Sequence, residues 1–183
     1  MEEETDLHKI HSLIADINTL NLSYFGREVI LLLAIYAEYI SLKLFNINYG
    51  YSKNKKFKEH MNRLKYLEEQ SLISDTEFKT LKALNDVRDE LAHKLDLDEN
   101  YLIGVMNKAI INWEEGFSEE IKKIKDELDS KPYSKFSMAC ITKILYLFTK
   151  ISKSEDFKVI FKIHKNDNFQ IETKDFPLHK NGS

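Results

Sequence analysis

The sequence predicts an all-α fold, an up-and-down bundle of five to six helices closed by a C-terminal β-hairpin. Three observations carry that expectation. Glycine and proline are scarce, 5 and 2 in 183 residues, so tight turns are few and the elements are long. Apolar residues recur at three- and four-residue spacing along most of the chain up to Ile151, the period of helices that each bury one stripe. Beyond residue 156 the apolar period falls to two, as in strands. Residues 1–155 then make one bundle domain, and residues 156–183 a hairpin and tail that pack on the bundle or on a partner.

The elements follow in order. Asp6 to Leu22 carries Leu7, Ile10, Ile14 and Ile17 on one stripe, so a first helix is predicted there. A second runs from about Tyr24 to Phe45 and holds the apolar run Val29 to Ala37. That run is far short of the ~20 residues of a membrane span, so no membrane association is expected. Apolar residues surround the helix, which suits the centre of a bundle. A basic helix is predicted from Lys55 to Gln70. Ser74 and Glu77 form a capping box that opens the next helix, reaching Leu95. Its stripe is Phe78, Leu81, Leu84, Val87, Leu91 and Leu95. Tyr101 to Leu128 follows, with Trp113 inward and Gly116 as a break or kink. Pro132 closes that stretch, and Ser134 to Ile151 is a last helix. Phe157, Val159, Phe161 and Ile163, then Phe169, Ile171 and Thr173, flank a polar corner at Lys165 to Asn168 and read as a hairpin. A lone hairpin is marginal in water, so it needs a surface to pack on.

Composition narrows the function. The chain is 43% hydrophobic and 31% charged, with a net charge of −3. It is not a polyanion binder by overall charge. The single cysteine, Cys140, excludes a disulfide framework and a multi-cysteine zinc site; among apolar neighbours it reads as an inert core thiol. The acidic start Met1-Glu2-Glu3-Glu4 shows no secretory signal. The expectation is a soluble, cytoplasmic protein. His8 and His11 are one turn apart, but no third ligand is evident, and no metal or other cofactor is expected. No phosphate loop, dinucleotide fingerprint, nucleophile elbow or zinc-protease helix is present.

Three ionisable residues stand out on the helical wheel. With Leu84 at zero, Arg88 falls at ~40°, inside the apolar stripe of its helix. With Leu31 at zero, Ile35, Leu42 and Phe45 lie within ~40°, and Glu38 sits among them at ~340°. Two core-facing helices thus carry one charge each, of opposite sign. The bland account is a buried Glu38–Arg88 pair that fixes register; the functional account is that Glu38 holds Arg88 at an active site. His93 lies off the stripe at ~180°. Asp89, four residues earlier, is spaced to orient its imidazole. A solvated histidine favoured by the helix dipole is the plain alternative.

Arg88-Asp89-Glu90-Leu91-Ala92-His93 resembles the Arg, polar residue, three residues, His signature of HEPN domains (higher eukaryotes and prokaryotes nucleotide-binding). The helix bearing Glu38 looks like the first core helix of that superfamily. Leu64-Lys65-Tyr66-Leu67, then Leu72-Ile73-Ser74 and Phe78, and later Lys135-Phe136, are similar to the branch of mannitol operon repressor-like proteins. The likeness covers residues 24–151. It implies a helical bundle, a homodimer with a composite site, and a metal-independent endoribonuclease, a toxin or defence effector. Arg88 would bind the scissile phosphate, His93 would act as general acid or base, and the RNA 2′-hydroxyl would attack. Asp89 takes the polar position, where Asn is commoner. Mannitol repressor-like relatives imply the alternative: a catalytically silent interaction or regulatory protein that works through a partner, such as an antitoxin.

Electrostatics bear on the RNA. Lys53, Lys55, Lys56, Lys58, Arg63 and Lys65 lie between Tyr51 and Tyr66. A basic strip with aromatics can track a phosphate backbone, although a solvated lysine-rich face explains the same run. Asp86, Asp89, Glu90, Asp96, Asp98 and Glu99 crowd the motif, so RNA would need basic groups from elsewhere in a dimer. The same acidic surface would suit a basic partner protein.

Overall fold

The computed structural model describes residues 12, 15–16, 26–50, 57, 59–93, 98–110, 130–152, 158–163 and 169–174. Among these residues the chain is mostly helical. Five helices run in order: α1 (Arg27–Tyr49), α2 (His60–Glu69), α3 (Asp75–His93), α4 (Glu99–Ala109) and α5 (Pro132–Ser152). The expected helix over Asp6 to Leu22 lies outside the described residues except at Ser12, Ala15 and Asp16, which are helical. Tyr36 on α1 donates to Asp16 Oδ2 at 3.1 Å. The helix expected to run to Leu128 is described only as α4, and Trp113 and Gly116 lie beyond it. Strands β1 (Lys158–Ile163) and β2 (Phe169–Lys174) pair antiparallel from Lys158↔Lys174 to Ile163↔Phe169.

Local chemistry sets the helix ends. α1 stops at Gly50, whose φ of 81° suits a residue without Cβ, and its N–H bonds Asn46 O at 2.9 Å. α2 ends in a Schellman turn: Leu72 N–H reaches Leu67 O and Ser71 N–H reaches Glu68 O. Ser71 holds the left-handed position at φ 56°. α3 opens on the full capping box, with Ser74 N–H on Glu77 Oε2 at 2.6 Å and Glu77 N–H on Ser74 Oγ at 3.2 Å. The Asp98 carboxylate caps α4 by accepting from Tyr101 N–H at 3.1 Å. Pro132 starts α5, where the first turn of a helix tolerates a missing N–H.

The core lies between α1 and α5, with α3, α4 and α2 packed around them. α5 buries Phe136, Met138, Ile141, Ile144, Leu145 and Phe148. Cys140 is fully buried in the same helix, and that burial pushes its thiol pKa up. α1 buries Val29, Ile30, Leu33, Ala37, Ile40, Ser41, Leu44 and Phe45. Of the stripe expected to face the core, Phe45 is buried, but Leu31, Leu42 and, at 67% exposure, Ile35 face outward, so the stripe is displaced. The apolar segment is also longer than the run Val29 to Ala37 suggested. An 18-residue window of α1 has a mean hydropathy of 1.6, enough by length and composition to cross a membrane. In this fold its buried face is the one turned into the bundle.

A buried carboxylate staples two distant helices. Glu77 is nearly inaccessible. Besides closing the capping box it accepts from Lys150 Nζ at 3.0 Å, and the same ammonium donates to Leu72 O at 3.0 Å. Glu77→Ala removes the side-chain half of the capping box and strands Ser74 N–H, while Lys150, partly exposed, can rehydrate. The expected loss is about 2 kcal/mol in urea unfolding, and a change below about 0.5 kcal/mol would refute the staple.

Candidate functional site

α1, α2 and α3 meet around a narrow, tightly packed cleft. Ala34 and Ala37 of α1 and Leu81 and Leu84 of α3 give it apolar walls, and Glu38, His60, Asn85 and Arg88 supply its polar groups. Glu38 and Arg88 thus line one cleft, but they do not form the expected ion pair. The partner of Glu38 is Arg63, whose Nη2 donates to Glu38 Oε1 at 3.1 Å. Arg63 projects from α2 with only 3% of its surface exposed, and its Nη1 donates to Phe57 O at 3.0 Å. Glu38, with its side chain 49% exposed, is a rim residue rather than a core one, because it belongs to the displaced stripe of α1.

Arg63 therefore does not belong to the basic strip; its stripe-mates Leu64 and Leu67 are buried with it. Lys65 is exposed, as a strip residue should be, and lies ~200° away around the helix. Lys53, Lys55, Lys56 and Lys58 lie outside the described residues, as do His8, His11 and Asp96.

Glu38→Ala should destabilise the fold by stranding the Arg63 guanidinium. Because water reaches half of Glu38, we expect about 2 kcal/mol, below the 3–5 kcal/mol of a fully buried pair. Arg88→Ala combined with Glu38→Ala should add independently, and strong coupling in that double-mutant cycle would refute the assignment of Glu38 to Arg63.

Freed from Glu38, Arg88 is held by its own helix. Its Nη2 donates to Asn85 Oδ1 at 2.8 Å, and Asn85 Nδ2 donates to Asp89 Oδ2 at 3.2 Å. Arg88 Nε is 3.1 Å from Asp89 Oδ1 but off its N–H axis, so this buried atom makes no hydrogen bond. The Arg88 side chain keeps 35% exposure. It sits at the edge of the α3 stripe, whose buried members are Glu77, Thr80, Leu81, Ala83, Leu84 and Val87. Asp89 thus faces Asn85 and Arg88, which corrects its expected pairing with His93. Asp86 is occupied by Lys82. His93 is exposed in the last turn of α3 and does not line the cleft.

The residue that sequence reasoning missed is His60. It is buried at the start of α2, and its Nδ1 lies 2.9 Å from Ser41 Oγ. Ser41 Oγ also lies 2.9 Å from Glu38 O, so one hydroxyl links the imidazole to the α1 backbone. Burial lowers the His60 pKa to about 4, with Arg63 acting in the same sense and Glu38 opposing. The ring is therefore neutral at physiological pH. The spacing His60, Arg63, Leu64, Leu67 was the available signal that both polar residues share the buried face. Among the described residues no group of His, Cys, Asp and Glu could hold a metal ion. Compared with family models, with curated proteins and with solved structures, the chain matches none.

Proposed function

We propose that the protein is a HEPN-type metal-independent endoribonuclease that works as a homodimer, a toxin or defence effector. The observation that carries this reading is the partner exchange at the cleft. Arg63 takes Glu38, so the Arg88 guanidinium is not consumed in the core and stays partly exposed at a cleft mouth. Asn85 and Asp89 hold it there. Arginine stays charged and can offset charge developing on a scissile phosphate. His93, exposed on the same helix, is of a residue type that moves protons near neutral pH. The 2′-hydroxyl is the nucleophile, and Asp89 acts by positioning Arg88. The outward stripe Leu31, Ile35 and Leu42 runs beside the cleft and gives a second copy an apolar seat. The two C-terminal strands form a hairpin that packs on the bundle or on a partner such as an antitoxin.

The same stripe favours a second reading, a silent interaction protein that docks a partner there. RNA cleavage in excess chelator separates the two. Wild type should cleave, His93→Ala should lose about a hundredfold in rate with its melting curve unchanged, and Arg88→Ala should lose activity. Cleavage that vanishes with chelator or survives loss of His93 would refute the mechanism, and no cleavage with an intact fold would favour the interaction protein.

A further inference from the structure

We propose that Asn85 is a positioning residue: it takes one side of the Arg88 guanidinium and restrains Asp89, so that the Nη1–Nη2 edge of Arg88 is the one left to meet a phosphate. The proposal rests on the nuclease reading above, but assigns a residue outside the Arg88–His93 motif and the edge of Arg88 that works. A guanidinium offers two forked edges, Nε with Nη2 and Nη1 with Nη2. The first is spent within the helix. Nη2 donates to Asn85 Oδ1 at 2.8 Å. Nε is buried and lies 3.1 Å from Asp89 Oδ1. Nη1 makes no hydrogen bond among the described residues, and the side chain keeps 35% exposure. Asn85 stands where both restraints cross. It lies three residues before Arg88 and four before Asp89, so the three share one face of α3. Its carboxamide does both jobs at once: the oxygen accepts from Arg88, and the nitrogen donates to Asp89 Oδ2 at 3.2 Å. That second bond occupies one Asp89 oxygen and leaves the other near Arg88 Nε. Asn85 is also neutral, so it holds the guanidinium without cancelling its charge as a second carboxylate would.

The test compares wild type, Asn85→Ala, Asn85→Asp and the exchanged pair Asn85→Asp with Asp89→Asn. Steady-state cleavage of a short single-stranded RNA gives kcat and KM, and nitrogen-15 relaxation of the Arg88 Nε–H group reports its order. Asn85→Ala should lose about tenfold in kcat, the factor of one hydrogen bond to a charged group, with KM within about twofold and the melting curve unchanged. Arg88 should be less ordered in that variant than in wild type. Asn85→Asp keeps an acceptor, so Arg88 should stay ordered, but the second negative charge should raise KM. The exchanged pair restores one carboxylate and one amide, and should recover kcat and KM to within about threefold of wild type. A merely structural Asn85 gives no reason for that rescue. Wild-type kcat in Asn85→Ala, unchanged Arg88 order in it, or an exchanged pair no better than Asn85→Asp alone would overturn the role of Asn85 and leave the nuclease reading standing. Wild-type protein that cleaves no RNA would overturn both.

Discussion

Phe45→Ala should cost about 4 kcal/mol of folding stability. Phe45 is buried near the C-terminal end of α1, and three rings surround it. Their centroids lie 5.0 Å away for Tyr49, 4.9 Å for Phe57 and 5.2 Å for Tyr66. Tyr66 meets it edge-on at 73°, the arrangement that pairs a ring's positive rim with a negative face. Truncation removes the transfer energy of the ring and leaves a cavity, about 3–5 kcal/mol for a buried phenylalanine. The cluster also joins α1 to α2. Contacts among Tyr49, Phe57 and Tyr66 themselves survive, which argues against the top of the range. The measurement is urea unfolding with an unchanged slope, accompanied by a melting point about 10 °C lower. Phe45→Leu, which restores volume but not the edge-to-face contact, should recover about half of the loss. A cost under about 1 kcal/mol for the alanine variant would mean that the four rings are not a packing unit.

The sequence was most informative where structure is decided locally. The capping box at Ser74 and Glu77 needs only two side chains three residues apart, and both of its hydrogen bonds form. The existence of α1, α3 and α5 follows from long apolar periodicity with no interrupting proline. What was not legible was which face of α1 turns inward. A helix apolar all round satisfies several stripes equally, and the choice is made by neighbours that a single helical wheel does not contain. Here the inward face is the one with Ala37 and Ser41. That error propagated: placing Glu38 in the core gave it Arg88 as a partner, whereas a rim position gave it Arg63. The basic strip loses Arg63 for a related reason. Arg63 and Lys65 are neighbours along the chain but lie on opposite sides of α2, and only the surface one can meet a phosphate backbone. Position along the chain put Arg63 and Lys65 together; the helical period separates them.

Acid should destabilise the protein through His60 by about 3 kcal/mol. The sign follows from proton affinity in the two states. Unfolded, the imidazole binds a proton near pH 6.5; folded, only near pH 4. Between those values the unfolded chain holds the extra proton, so stability is full above about pH 6.5 and falls as pH drops toward about 4. A gap of about 2.5 units at 1.36 kcal/mol each sets the magnitude. The chief physical cause is desolvation of the imidazolium in a site from which water is nearly absent. The facing charges largely divide: Arg63 and Arg88 oppose protonation, whereas Glu38 and Asp89 favour it. Loss of the Ser41 bond is not the cause, because the protonated ring donates from Nδ1 to Ser41 Oγ. Carboxylates elsewhere titrate over part of the same range, so the informative quantity is a difference between proteins. Unfolding free energies of wild type and His60→Gln, measured from about pH 7.5 to about pH 4.5, should converge by about 3 kcal/mol as pH falls, with wild type showing the steeper loss. Glutamine can replace the bond to Ser41 but cannot take up a proton. Parallel curves for the two proteins would show that His60 is not a buried neutral base in the folded state.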